Sequence, residues 1–132
     1  MISAVDTSIL LDVFAGDPQH LRASWELLER AWEEGSIVIS EVVYAELAAG
    51  FPDASSLDDA LGRLNVEVHP GTKESAFVGG RRWGAYRRAG GPRTRVVADF
   101  LIGAHALAFA DRLLTRDRGF YSTYFPELAL LG

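Results

Sequence analysis

The chain has 132 residues, 48% of them apolar and 23% charged, with a formal charge of −5. That is the composition of a folded globular domain and excludes an intrinsically disordered polymer. No apolar run reaches the roughly 18 residues a membrane span needs, and with no cysteine, disulfide scaffolds and thiolate zinc sites fall away. An acid at position 6 and the lack of a basic n-region argue against a secretory signal, so one domain over 1–132 in a reducing cytoplasm is expected.

Ile2 to Val5 reads as a short buried strand ending at Asp6. Asp6-Thr7-Ser8 supplies helix-capping residue types ahead of an apolar helix, Ile9 to Ala15, which Gly16 stops. Asp17-Pro18 is an N-cap followed by proline at the first helical position. Leu21, Trp25, Leu28 and Trp32 then recur at spacings of three and four, the stripe of an amphipathic helix ended by Gly35. Ile37 to Ile39 is a second strand. Ser40 caps a helix over Glu41 to Ala49, and Gly50 closes it. Phe51 to Ser56 reads as a loop, Leu57 to Leu64 as a short helix and Asn65 to Val68 as a third strand. Thr72 to Ala89 is helical in pattern, though weakened by Gly79, Gly80 and Gly84, and Gly90-Gly91-Pro92 breaks it. Val96 to Ala110 is a long apolar helix, Arg112 to Thr115 a fourth strand and Leu128 to Leu131 a fifth. Strands alternating with helices predict an α/β fold, a three-layer α/β/α sandwich around a central, mostly parallel sheet.

Charge is distributed unevenly. Arg81, Arg82, Arg87, Arg88, Arg93 and Arg95 are six of the thirteen basic residues, and no acid occurs from Ser75 to Ala98. An acidic chain with one concentrated basic segment has two electrostatic faces. The segment is read either as an approach surface for a nucleic-acid backbone or as a solvated helix face. Trp83 and Tyr86, three apart, are candidates for base stacking or for the core.

The acids carry the chemistry. In parallel α/β folds the working site lies beyond the carboxyl ends of the strands. Asp6 ends the first strand and Asp117 follows the fourth by two residues, so both fall on one edge of the sheet. Glu46 and Asp99 instead interrupt apolar helices, where a lone carboxylate must be solvated, paired or bound to a cation. Four carboxylates brought together repel one another unless cations lie between them. Oxygen-only donors favour a hard ion, Mg²⁺ or Mn²⁺, and such a site suits phosphodiester hydrolysis.

The succession Asp6-Thr7-Ser8, Tyr44-Ala45-Glu46-Leu47, Ala98-Asp99-Phe100-Leu101-Ile102-Gly103-Ala104-His105-Ala106 and Leu114-Thr115-Arg116-Asp117-Arg118-Gly119-Phe120 resembles the PIN-domain ribonucleases. More narrowly, it resembles the VapC toxins of type II toxin–antitoxin pairs, over nearly the whole chain. The resemblance implies a divalent-metal endoribonuclease with Asp6, Glu46, Asp99 and Asp117 as its acids, Thr115 as the threonine before the last of them, and Ser8 at the polar position two after the first. It also implies a homodimer and a VapB-like antitoxin that blocks the acidic pocket, often with a basic side chain. Ser8 stands equally as a helix cap. His105, about 120° around its helix from Asp99 at 3.6 residues per turn, is read as a packed or surface residue. Trp25 and Trp32 are read as core or as a partner surface.

Other classes fit less well. A receiver domain wants a lysine at a late strand end, and the only lysine is Lys73. A haloacid-dehalogenase-type phosphatase wants an acid at position 8, which is serine. A PIN nuclease of RNA processing without an antitoxin, or a non-catalytic PIN interaction module, are the remaining alternatives. The latter is expected to lack a carboxylate, and all four are present.

Overall fold

The structure is a computed structural model that describes residues 1–92 and 96–132. Arg93 and Arg95 of the basic segment lie outside the described residues. The elements in chain order are β1 (Ile2–Val5), α1 (Thr7–Ala15), α2 (Leu21–Glu34), β2 (Ser36–Ile39), α3 (Glu41–Ala48), α4 (Ala54–Arg63), β3 (Val66–Val68), α5 (Lys73–Arg88), α6 (Val97–Phe109), β4 (Arg112–Leu114), α7 (Arg118–Tyr124) and β5 (Leu130–Leu131).

All five strands are parallel, in the order β3-β2-β1-β4-β5. The chain builds outward from β1 to β3, then crosses back to lay β4 and β5 on the other side. Right-handed crossovers place the helices before β3 on one face and those after it on the other, which gives the three-layer α/β/α sandwich. The order reverses between β1 and β4, and the crevice beyond the carboxyl ends of those two strands is where such a sheet binds ligands.

Ser3, Ala4 and Val5 of β1 are buried, as are Ile37, Val38 and Ile39 of β2 and all of β4. Helices on both sides explain why these strands read as continuous apolar runs and not as alternating ones. α6, apolar nearly all round, packs on β1 and β4 and touches both α5 and α3. Beneath it lies an aromatic cluster: Phe100 meets Tyr86, Phe120, Tyr124 and Phe125 with ring centroids 5.1–6.2 Å apart.

The element boundaries correct the sequence reading in four places. α2 begins at Leu21 and not at Pro18: Asp17 accepts from the Gln19 and His20 amides in a turn ahead of the helix, and His20 stands at the N-cap position. α1 begins at Thr7, directly after Asp6, whose side chain accepts from the Thr7 amide. α4 begins at Ala54 because Asp53 caps it through the Ser56 amide, so part of the expected loop is helix. α7 has no counterpart among the expected elements; it is a short helix after Asp117, held by burial of Phe120 and Tyr121 and not by its own periodicity.

α5 runs unbroken through its glycines, for a packing reason. A Cβ at Gly79 would lie 3.0 Å from the Phe100 carbonyl oxygen and 3.3 Å from the Leu101 Cα, so this glycine lets α5 close on α6. A Cβ at Gly80 meets nothing within 4 Å among the described residues. Gly80→Ala should therefore stabilise the protein by up to about 1 kcal/mol through helix propensity. Gly79→Ala should destabilise it, because overpacking of about 1–3 kcal/mol outweighs that gain. Thermal denaturation of the two variants side by side checks the contrast.

Candidate metal-dependent active site

The four acids singled out from the sequence meet at the β1/β4 crevice. Asp6, Thr7, Ser8, Leu11, Glu46, Asp99, Arg116 and Asp117 line one cavity of about 450 Å³. Asp6 arrives from the end of β1, Glu46 from α3, Asp99 from the first turn of α6 and Asp117 from the turn after β4. The contact between α3 and α6 brings the two helical acids to the same end of the sheet as the two strand-end acids.

Asp6 is the buried member, 8% exposed. Its Oδ1 accepts from the Thr7 amide (2.9 Å) and its Oδ2 from the Thr115 hydroxyl (2.8 Å). Thr115 is fully buried and its hydroxyl oxygen in turn accepts from the Asp117 amide (2.9 Å). One threonine thus sets both the Asp6 carboxylate and the backbone that carries Asp117. Thr7, to which the sequence alone assigns no role at the site, does the same for Glu46: its hydroxyl donates to Glu46 Oε1 at 2.6 Å. The signal is present in the Asp6-Thr7-Ser8 triplet, but its partner lies 39 residues away. Ser8 is half-buried and faces the cavity.

Burial raises the Asp6 carboxyl from 3.8 to about 6. The hydrogen bonds from Thr115 and Thr7 oppose that rise, and the charges of Asp99 and Asp117 add to it. Burial, and to a smaller degree the like charges, disfavour the ionised form of this carboxyl. The donor set fits a hard divalent ion: oxygen atoms only, with no Cys or His among the cavity residues. The tetrad is nevertheless spread out. Among the described residues the one group of three or more acid or histidine ligand atoms lying within 4.8 Å of one another is Asp12, Asp17 and His20. That cluster is already engaged in hydrogen bonds. Asp12 accepts from Ser24 and from two nitrogens of Arg116, while Asp17 accepts from the Gln19 and His20 amides and meets the His20 ring. With most of its carboxylate lone pairs engaged and a guanidinium in place, it acts as an internal clasp between α1 and α2. The looser tetrad lines the open cavity of about 450 Å³.

The remaining candidates sort by burial. Arg81, Arg87 and Arg88 are exposed on α5; Arg81 lies over the Phe77 ring and Arg87 over the Trp83 ring, at 5.5 and 5.6 Å. Arg82 does not share that surface. It donates to the Tyr124 carbonyl and to both Glu127 oxygens and stacks on Phe125, which makes it a tie between α5 and the α7–β5 region. Tyr86 is buried, with its hydroxyl donating to the Pro92 carbonyl, so it belongs to the core and stacks on Tyr124 edge to face. His105 is buried, donates from Nε2 to the His69 carbonyl (2.7 Å), and is pushed towards its neutral form by burial. Trp32 is pinned by its indole N–H to the Leu64 carbonyl, and Trp25 lies edge-on against it, 38% exposed.

The raised Asp6 carboxyl has a consequence for stability. Relative to the unfolded chain, the folded protein binds an extra proton between pH 3.8 and about 6, so this contribution to stability is lost as the pH rises through that window. At neutral pH the charged, buried group then costs on the order of 3 kcal/mol. Without divalent ions, Asp6→Asn should raise the Tm by several degrees at pH 7, and the gain should vanish near pH 4. Circular-dichroism melts in chelator at both pH values check this.

Comparison with known proteins agrees with this geometry. The sequence matches the PIN domain family over residues 4–126. The fold is similar to that of VapBC2 from Rickettsia felis bound to a DNA fragment from their promoter (TM-score 0.74, 23% identity, 99% of this chain and 98% of that one). It is also similar to VapBC-1 from nontypeable Haemophilus influenzae (TM-score 0.73, 21% identity, 99% and 97%) and to a toxin–antitoxin complex from Klebsiella pneumoniae (TM-score 0.67, 19% identity, 98% and 96%). Among curated proteins there is no significant match. Together, the match over residues 4–126 and the four acids gathered at the sheet's switch point assign the chain to the PIN domain family.

Proposed function

We propose that the protein is a divalent-metal-dependent endoribonuclease that acts as the toxin of a VapBC-like toxin–antitoxin pair. The observation that carries the reading is the gathering of Asp6, Glu46, Asp99 and Asp117, from four separate elements, around one open cavity. Mg²⁺ or Mn²⁺ held by these residues would supply Lewis acidity and charge neutralisation for phosphodiester hydrolysis. The protein's own share is orientation. Thr115 and the Thr7 amide hold the two Asp6 oxygens, and the Thr7 hydroxyl holds one oxygen of Glu46. Ser8 also lines the cavity, and in this reading its hydroxyl serves substrate or solvent.

An anionic cavity repels a polyanion, so the approach of RNA needs a positive surface. Arg81, Arg87 and Arg88 on α5, followed in sequence by Arg93 and Arg95 just before α6 and Asp99, supply one. The antitoxin reading rests on the toxin–antitoxin complexes that share the fold and on a groove beside the site. Leu11, Phe14, Ala15, Leu47, Gly50 and Phe51 line an apolar trough between α1 and α3, and Leu11 is shared with the acid cavity. A partner segment anchored in that trough lies within reach of the carboxylates, where a basic side chain finds charge-assisted hydrogen bonds. The protein acts as a homodimer in this reading, with the exposed Trp25 edge as a contact.

Cleavage of RNA should vanish in excess chelator and return with Mg²⁺ or Mn²⁺. Asp99→Asn should lower the rate by at least two orders of magnitude without unfolding the protein. Activity that survives chelation would overturn the metal-dependent reading, and sequencing of RNA ends after induced expression checks the substrate class.

Replacing Arg87, Arg88, Arg93 and Arg95 with Gln should weaken RNA binding. The slope of log affinity against log salt should fall by about 0.7 for each phosphate that is no longer neutralised. An unchanged slope would return these arginines to the role of a solvated helix face.

A further inference from the structure

Arg116 is the one cationic side chain among the described residues lining the acid cavity, yet it pairs with none of the four acids of the tetrad. Its Nε and Nη2 donate to the two oxygens of Asp12, at 2.8 and 3.0 Å, across 104 positions of sequence. Asp12 is only 3% exposed and its Oδ2 also accepts from the Ser24 hydroxyl of α2, so the carboxylate is fixed from two sides. This is a side-on pairing of the guanidinium. It leaves the opposite edge, one N–H of Nη2 and both of Nη1, without an acceptor among the described residues. The Arg116 side chain is 36% exposed, so that edge meets solvent at the rim of the cavity.

A guanidinium beside four carboxylates would, if free, fold onto them and plug the site. Asp12 prevents this by offering a buried, bidentate partner on the other side. The edge left over is a planar fork whose two nitrogens match two oxygens of a phosphate. We propose that Arg116, positioned by Asp12, is a phosphate-binding residue of this site and contacts a phosphodiester of the strand lying over the carboxylates. The inference rests on the nuclease reading above and extends it to a residue outside the tetrad. Asp12 acts only through Arg116 and is a positioning residue.

The test measures binding apart from cleavage. A fluorescein-labelled oligouridylate is titrated with the full-length protein in Ca²⁺ over a range of salt concentrations, and cleavage of the same probe is followed separately in Mn²⁺. Arg116→Gln should weaken binding about ten- to a hundred-fold, as expected for loss of a hydrogen-bonded charge, and lower the salt slope by about 0.7. Arg116→Lys, which keeps the charge and loses the fork, should fall between wild type and Arg116→Gln. Asp12→Asn should also weaken binding. Arg116→Gln alone strands a buried carboxylate, so the double variant Asp12→Asn/Arg116→Gln, neutral and still able to hydrogen-bond, guards against misfolding. It should melt cooperatively and bind no more tightly than Arg116→Gln. Wild-type affinity and salt slope in either folded Arg116→Gln variant would overturn the inference. A wild-type protein that binds the probe through Arg116 but leaves it uncut would instead overturn the nuclease reading and keep this one.

Discussion

The Thr115 hydroxyl donates to Asp6 and accepts from the amide of Asp117, and so a single buried side chain ties the ends of β1 and β4 to each other. Much of the molecule follows from what that tie makes tolerable. A carboxylate as buried as Asp6 is costly to charge in a fold of this size, and two further acids nearby make it costlier. The hydrogen bonds lower that cost without removing it. The consequence is a site under electrostatic tension, set in a framework stiff enough not to collapse. Short β-strands buried on both faces, with α6 packed across β1 and β4, provide that stiffness.

Two charge systems lie side by side and behave differently. The tetrad's acids come from four separate elements and line an open cavity, with Asp6 buried beneath it. In the clasp of Asp12, Arg116, Asp17 and His20 each carboxylate already has its donors. Geometry alone favours the clasp as a compact ligand cluster, but its hydrogen bonds reverse that preference. Lone pairs already engaged by a guanidinium and a hydroxyl are poorly placed to take a metal. Proximity of acids alone is thus a weak guide to ion binding.

The sheet and the four acids are legible in the sequence because both depend on local pattern. Apolar runs bounded by Asp6, Ser40 and Gly50 mark strand and helix ends, and an acid breaking an apolar helix is conspicuous wherever it lies. What escapes is long-range. The Thr7–Glu46 hydrogen bond spans 39 positions and the Asp12–Arg116 pair 104, and nothing in the spacing of either residue announces its partner. Arg82 looks like its neighbours in a basic run, and only folding shows that Glu127 claims it. The segment Arg118–Tyr124 carries no helical stripe, so α7 is visible only once the aromatic cluster it completes has been assembled.

The crossover that makes β1 the central strand also fixes when the cavity can exist. Asp6 leaves the ribosome early, and β1 can pair with β2 as soon as residues near 36 emerge. Thr115 and Asp117, which complete the acid set and secure Asp6, come from the last sixth of the chain and must dock beside a strand made more than a hundred residues before. Contacts of such separation form late in folding. A nascent or C-terminally truncated chain therefore lacks a whole tetrad, and the acid cavity closes only when synthesis is nearly complete.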